Sequence, residues 1–315
     1  MKLAGASVLV TGGTGFLGSH LVRRLVGHDA NVAITVRAGT EPRRIRDVVN
    51  RTRRIEADVT DAASLRAAVR EAAPDAVFHL AAWTGGRHAD VEDAFRRSLA
   101  VNHEGTMNVL KAVRDEAPGA RVVRTGSMAE YGDGEAPFRE DSPTREDSSY
   151  SGSVILATHL AHAIAPTWGL KPVTLRPSLI YGPAQDSDYF LPGLIRACLA
   201  GADFPMTTGE QGVDFVFVED VVEALVRAAG SGAAAGEIFN VGSGVEITVR
   251  ELAETVVRRT GTRAKLLIGA VPTREREAQH RCLDIGKAER MLGWTPRTPL
   301  EEGIDLTVAW FRENG

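Results

Sequence analysis

The stretch Ser7-Val8-Leu9-Val10-Thr11-Gly12-Gly13-Thr14-Gly15-Phe16-Leu17-Gly18 decides the fold. An apolar run rich in valine reads as a strand, and residues Gly18 to Val26 continue with the apolar spacing of a helix. Between them lie two overlapping glycine spacings, Gly13-x-Gly15-x-x-Gly18 and Gly12-x-x-Gly15-x-x-Gly18. In both, missing Cβ atoms let backbone N–H groups and a helix N-terminus approach a pyrophosphate. The alternative is a tight turn that binds nothing. Strand, glycines, helix and the units that follow agree instead on a dinucleotide fingerprint.

Outward from this turn, short β-branched runs alternate with helical patterns, the order that builds a parallel sheet covered on both faces. Further strands are expected at Val32–Val36, Arg54–Glu56, Ala76–Leu80, Arg121–Arg124 and Lys171–Leu175. Helices are expected at Ala62–Ala72 behind the cap residue Asp61, at Val101–Arg114 and at Ser151–Ala165. After Pro177 the rhythm loosens, with helix-sized pieces at Glu219–Ala229 and Val249–Thr260. Two strands, Asp214–Val218 and Glu237–Val241, are expected to rejoin the first sheet. The expected fold is α/β: a doubly wound parallel sheet of the Rossmann type with a smaller C-terminal substrate-binding lobe. Residues 1–176 plus about 214–242 form the dinucleotide-binding domain, and 177–213 plus 243–315 the second lobe.

Composition narrows the function. The chain of 315 residues carries 37 Lys plus Arg against 41 Asp plus Glu, a net charge of −4, so nothing suggests a nucleic-acid surface or a polybasic membrane patch. The two cysteines, Cys198 and Cys282, support neither a disulfide framework nor a Cys-based zinc site, which points to a reducing cytoplasm. No His, Asp, Glu and Cys cluster has metal-ligand spacing. No apolar stretch approaches the ~20 residues that span a bilayer, and Met1-Lys2-Leu3-Ala4 leads into a strand rather than a signal peptide.

Cofactor choice is read about 20 residues past the glycines, where an acid would grip the adenosine 2′-hydroxyl of NAD. Thr35-Val36-Arg37 has no acid there and is followed by Arg43 and Arg44. A guanidinium at Arg37 suits the 2′-phosphate of NADP(H), with NAD(H) the second choice. The plain alternative for Arg37 is a solvated charge at a strand end.

These residues resemble the extended short-chain dehydrogenase/reductase family, which includes sugar-nucleotide epimerases, dehydratases and 4-ketoreductases. Thr11–Gly18 is similar to its glycine motif, Asp58-Val59 to its adenine-contacting pair, and His79-Leu80-Ala81-Ala82 to its strand-four signature. Val101-Asn102-His103-Glu104-Gly105-Thr106, Leu175-Arg176-Pro177, Tyr181-Gly182-Pro183, Phe215–Asp220, Asn240-Val241-Gly242 and Lys287–Trp294 follow in family order. The resemblance implies cofactor contacts from Gly12, Gly15, Phe16, Leu17, Gly18, Asp58, Val59, Leu80, Ala81, Ala82, Asn102, Tyr150 and Pro177. It also implies a homodimer formed through the helices at Val101–Arg114 and Ser151–Ala165.

The family's catalytic set is a Ser or Thr, a Tyr, and a Lys four residues after the Tyr. Ser127 and Tyr150 match the first two. Position 154, where the pattern calls for lysine, is Val154. A free tyrosine ionises near pH ~10, and an ammonium one helical turn away favours the phenolate. Without it Tyr150 is a poor base for oxidising an alcohol, yet a neutral phenol still donates a proton to a carbonyl that receives hydride.

Other positions prune the family. The Asp-Glu pair of hexose dehydratases is replaced by Met128 and Ala129. Arg274 resembles the arginine that grips a nucleotide diphosphate, whereas the arginine before the Asp-Phe-Val strand is Val213. Arg276 and Arg281 are candidates to compensate, or ordinary surface charges beside Glu275 and Glu277. Trp83 falls where the substrate pocket would open, either packing in the core or touching substrate, and Tyr181 is expected at the substrate. His88, His103, His159 and His162 read first as helix-face or interface residues. The leading expectation is an NADP(H)-dependent reductase of a keto-sugar nucleotide. The alternatives are a sugar-nucleotide epimerase with a tightly held dinucleotide, and a non-catalytic or redox-neutral NADP-binding protein.

Overall fold

A computed structural model describes residues 3–85, 90–273 and 279–314. Seven strands form a wholly parallel sheet: β1 (Ser7–Thr11), β2 (Asn31–Val36), β3 (Thr52–Glu56), β4 (Ala76–His79), β5 (Arg121–Thr125), β6 (Val173–Pro177) and β10 (Ile238–Val241). Their spatial order is β10-β6-β5-β4-β1-β2-β3. The chain reverses direction of winding between β1 and β4, the switch point where open α/β sheets bind ligands.

Side chains of period two divide between the faces. Val8 and Val10 of β1 and Phe78 of β4 bury toward α1 (Phe16–Gly27), α7 (Val218–Gly230) and α9 (Gly286–Leu292). Leu9 and Val77 point the other way, into a core built with α2 (Ala62–Ala72), α4 (Gly105–Glu116) and α5 (Ser149–Ile164). Asp61 caps α2 by accepting the Ala63 amide at 3.0 Å, as its position before the periodic run implies. The helix expected at Val101–Arg114 is continuous with α3 (Val91–Ser98) through a π-helical turn at Leu99–Glu104.

Of the two strands expected to return to the first sheet, only β10 does so. The other, β9 (Gly212–Phe217), is the centre of a second sheet, flanked by β7 (Leu179–Tyr181), β11 (Glu246–Thr248) and β13 (His280–Arg281). Its phenylalanines explain the difference. Phe215 and Phe217 pack with α6 (Phe190–Leu199), α8 (Val249–Thr260) and α10 (Leu300–Asn314), forming a core separate from that of the large sheet. A two-stranded sheet, β8 (Phe204–Met206) with β12 (Leu266–Ile268), completes this lobe. Among the described residues no helix is long and apolar enough to cross a membrane.

Asp214 of β9 joins the two parts. Fully buried, it accepts from the Ser243 amide and hydroxyl at 2.7 Å each, from the Gly244 amide at 3.1 Å and from Ser178 Oγ at 3.2 Å. The end of β6 and the turn after β10 are thereby tied to the smaller sheet. Burial pushes the Asp214 carboxyl up, and the Ser243 hydroxyl and these amides oppose the shift.

His79, at the end of β4, joins Thr11 Oγ1 at 2.7 Å and Thr106 Oγ1 at 3.1 Å. Burial, with Arg124 nearby, lowers its pKa to about 3. Because the unfolded chain binds this proton below an ordinary histidine pKa and the folded chain does not, stability falls as pH drops from roughly 6.5 toward 3. In denaturant unfolding of wild type and His79→Gln, the loss between pH 7 and pH 5 is expected to be smaller in the variant by about 2 kcal/mol. Equal losses would refute the assignment.

Candidate active site

The glycine turn sits at the switch point. Gly12 adopts φ +74°, and a Cβ there would stand 2.6 Å from the Ala81 amide nitrogen and 2.7 Å from the Leu80 carbonyl carbon. The turn therefore runs against the backbone of Leu80-Ala81, which only glycine permits. A Cβ on Gly18 would collide with the Gly12 carbonyl oxygen. Gly15 caps α1 without a side-chain bond, leaving first-turn amides to face an anion. This is a cradle that side chains would fill, and a dinucleotide pyrophosphate fits it. The side chains of Phe16 and Leu17 pack on the small-lobe core, so their contribution to a bound pyrophosphate is through the backbone.

Around the cradle, the expected contacts take different roles. Asp58 accepts from the amide and hydroxyl of Thr60 at 2.9 and 2.7 Å. Val59 is buried, and its carbonyl receives Asn108 Nδ2 at 2.9 Å. Ala82 is exposed at the rim. Asn102 acts on protein: its Oδ1 accepts the Trp83 amide at 2.7 Å and its Nδ2 donates to the Trp83 carbonyl and to Ser153 Oγ, both at 2.9 Å. It fixes the segment that follows Ala82. Pro177 is buried at the end of β6, in register with Val241. Arg37 is exposed just beyond β2 and has no side-chain partner among the described residues. By contrast, Arg43 pairs with Glu41, and Arg44 bonds the Ala184 carbonyl and Asp186.

Ser127 follows β5 and caps the short turn Met128–Tyr131, with its Oγ accepting the Ala129 amide at 3.1 Å. Tyr150 lies in the first turn of α5, which Ser148 begins by accepting the Ser151 amide at 3.1 Å. These two starts bring the Ser127 hydroxyl to the Tyr150 phenol. Burial raises the pKa of Tyr150, and the Ser127 hydrogen bond opposes that shift. Val154, one turn on, is 3% exposed and supplies no charge. Ser153 does not replace lysine either. Its hydroxyl donates to the Tyr150 carbonyl at 2.8 Å and accepts from Asn102.

Sequence reasoning missed a buried polar cluster beneath this pair. Glu130 is wholly inaccessible: its Oε1 accepts the Ser127 amide at 3.0 Å and the Thr158 hydroxyl at 3.1 Å, and its Oε2 meets Arg176 at 2.8 Å. A Cβ on Gly126 would overlap that carboxylate. The signals were arginines at buried strand positions, Arg124 and Arg176, and a glycine directly before Ser127.

A cavity of about 880 Å³ opens in the smaller lobe, walled by Leu179, Tyr189, Phe204, Met206 and Arg281 among others. Tyr189 links it to the catalytic pair, since its hydroxyl meets Thr84 Oγ1 at 3.0 Å and its phenol bears on Tyr150. Trp83, one residue before Thr84, is half-buried. Tyr181, expected at the substrate, is buried in the smaller lobe. It lines the wall of the cavity, and its hydroxyl donates to the Leu300 carbonyl at 3.3 Å. Arg281 lies in register with Val213 on the neighbouring strand and reaches Asp147 at 3.3 Å. Arg274, Arg276 and His88 lie outside the described residues. His159 is an exposed helix-face residue, and His162 bonds Thr174 at 2.9 Å. Burial also lowers the pKa of His103.

A doubly wound sheet with this cradle and a Ser–Tyr pair at its open edge defines a Rossmann-type dinucleotide enzyme. Residues 8–242 match the NAD dependent epimerase/dehydratase family, and the chain belongs to it. It is 33% identical over 314 residues to UDP-glucose 4-epimerase of Mycolicibacterium smegmatis, covering 96% of this chain and 98% of that one. It is 30% identical over 332 residues to a Streptomyces dTDP-4-dehydro-6-deoxy-D-allose reductase, covering 99% and 98%. The crystal structure of Thermus thermophilus UDP-glucose 4-epimerase in complex with NAD superposes with a TM-score of 0.84 at 30% identity, covering 97% and 98%.

Replacing Gly12 with alanine is expected to weaken binding of a reduced dinucleotide (NADH or NADPH), followed by its fluorescence, by at least about tenfold, because the left-handed backbone and the Ala81 contact both resist a Cβ. Gly27→Ala, a site with open space around the new methyl, is the control. Equal affinity in the two variants would remove the cradle from cofactor binding.

Proposed function

We propose that this chain is an NADPH-dependent reductase that reduces a keto group of a nucleotide-diphosphate sugar. The observation that carries the reading is Tyr150: burial holds it protonated, and Val154 leaves it without the ammonium that would make it a base. When bound, the dinucleotide supplies the hydride. Ser127 orients the substrate carbonyl through its hydroxyl, and Tyr150 donates its phenolic proton to the oxygen as the carbon is reduced, giving an alcohol. Near the pair, Thr84 meets Tyr189 of the cavity wall at 3.0 Å.

The relative acting on a dTDP-4-dehydro sugar supports this class of reaction. Arg281, beside Val213, supports a diphosphate-linked substrate by placing a guanidinium on the cavity wall next to the position the family arginine has vacated. The buried, unpaired cysteines suit a reducing cytoplasm. A homodimer through the helices at Val101–Arg114 and α5, where Leu156 stands exposed, belongs to the same proposal.

Turnover is checked by NADPH oxidation with a panel of keto-sugar nucleotides. Tyr150→Phe is expected to lower kcat by about 10²–10⁴-fold, and Arg281→Ala to raise KM with little change in kcat. Bound cofactor without turnover of any keto sugar would count against reduction. The epimerase reading is favoured by the M. smegmatis relative and predicts a dinucleotide that copurifies, visible in the absorbance spectrum, together with interconversion of UDP-sugars without net redox.

Cofactor choice rests on Arg37, free of ion pairs among the described residues at the end of β2. Arg37→Ala is expected to weaken NADPH by roughly tenfold and leave NADH unchanged, since a charge-assisted contact to one phosphate is worth about 1.5–3 kcal/mol. Tighter binding of NADH than NADPH by the wild type would overturn the choice.

A further inference from the structure

The interior below Ser127 and Tyr150 holds two guanidinium groups and one carboxylate. Arg176 Nε donates to Glu130 Oε2 at 2.9 Å while another nitrogen of the same group stands 2.8 Å from that oxygen, so the charge of Glu130 is matched by Arg176. Arg124 has no such partner. Only 2% exposed, it donates through one terminal nitrogen to Thr158 Oγ1 at 2.8 Å and Thr174 Oγ1 at 3.3 Å, both neutral, and its Nε has no hydrogen-bond partner. Among the described residues it makes no ion pair. Leaving a charge buried and unmatched is costly, and a carboxylate placed against it would be the simple remedy. The chain instead holds the cation on two threonine hydroxyls, where its charge is felt by both Glu130 and Tyr150.

The anchor of Arg124 on α5, Thr158, gives the reason. Tyr150, Val154 and Thr158 recur every four residues and share one face of that helix. Thr158, which anchors Arg124, is one turn beyond Val154, about 6 Å along the axis. A guanidinium from β5 thus reaches the helix face on which a lysine at 154 would stand. We propose that Arg124 is the resident cation of this active site, a positioning residue that stabilises negative charge on Tyr150 and the reacting oxygen in place of the absent lysine.

The surrounding groups are consistent with this. On Tyr150, burial, Glu130 and Tyr189 oppose ionisation, while the Ser127 hydroxyl and Arg124 favour it. Arg124 is drawn down to about 10 by burial and by Arg176, with Glu130 and Tyr150 pulling it back up. His79 on β4 and His162 on α5 are lowered to about 3 and about 4, by burial first and Arg124 second, so neither adds a competing cation near neutrality.

The inference rests on the assignment of Tyr150 as proton donor, but its test needs no substrate. The full chain is labelled with difluorotyrosine, whose phenol ionises closer to neutrality, and titrated by fluorine NMR. The Tyr150 resonance is the one missing from Tyr150→Phe. In Arg124→Met its midpoint is expected to rise by on the order of one pH unit. Arg124→Lys is expected to stay near wild type, and Val154→Lys added to Arg124→Met to bring the midpoint back down. An unchanged midpoint in folded Arg124→Met, or an equal rise in Arg124→Lys, overturns the proposal. If Arg124→Met does not fold, Thr158→Val releases the guanidinium while keeping its charge, and it must raise the midpoint; no rise again overturns it. Failure of the keto-sugar panel leaves these titrations as they are, so the proposed reaction and the proposed cation fail separately.

Discussion

The Glu130 carboxylate is the constraint around which the catalytic end of the sheet is arranged. It is sealed from solvent and held by Arg176 of β6, Thr158 of α5 and the amide of Ser127 after β5. A carboxylate taken out of water at several kcal/mol must find hydrogen bonds on every side, and those bonds dictate where their donors stand. Ser127 is therefore positioned through its backbone as well as by capping its own turn. Gly126 exists because the carboxylate occupies the space a Cβ would need. The pair adds little to stability against an apolar equivalent, so its contribution lies in register between strand, turn and helix.

A second constraint lies one strand away. Gly12 touches the Leu80-Ala81 backbone closely enough that β1 and β4 must end together, and His79 fills the gap behind them with bonds to Thr11 and Thr106. Asn102 then pins Trp83, and through Ser153 it ties the same segment to α5. The phosphate turn, the segment after β4 and the Tyr150 helix are thus one connected set of hydrogen bonds. Asp214 ties the ends of β6 and β10 to the smaller lobe, so the cavity there is held relative to the large sheet by buried bonds.

Much of this was legible in the chain. The glycine spacing identified the cradle because a missing Cβ has one main use at that place, and alternating strands with helix periodicity carried the doubly wound sheet. Ser127 and Tyr150 could be found from their flanking residues, and Val154 as a departure. What escaped reading depended on long-range pairing. β9 has the composition of a core strand, and only its packing against α6, α8 and α10 decides which sheet it joins. Asn102 and Tyr181 were named from their place in family landmarks, and no local pattern shows that their side chains also bond the Trp83 backbone and the Leu300 carbonyl. The buried arginines were visible as charges in apolar strands, but no local pattern says that one is matched and the other is not.

That imbalance bears on the direction of chemistry. An epimerase requires its tyrosine to accept a proton from an alcohol and later return one, so the phenolate must be accessible before substrate is oxidised. In this chain the half-buried tyrosine feels the Glu130 carboxylate and has its cation on a neighbouring strand rather than one turn along its own helix. A cation held by two threonine hydroxyls, behind Ser127, best offsets charge that appears as the proton leaves Tyr150 for a reduced carbonyl, when phenol and substrate oxygen share the developing negative charge. It gives less help to a free phenolate waiting for substrate, since burial and Glu130 still oppose that state. The surroundings that make Tyr150 a weak base leave it a competent acid, in keeping with the proposed reduction.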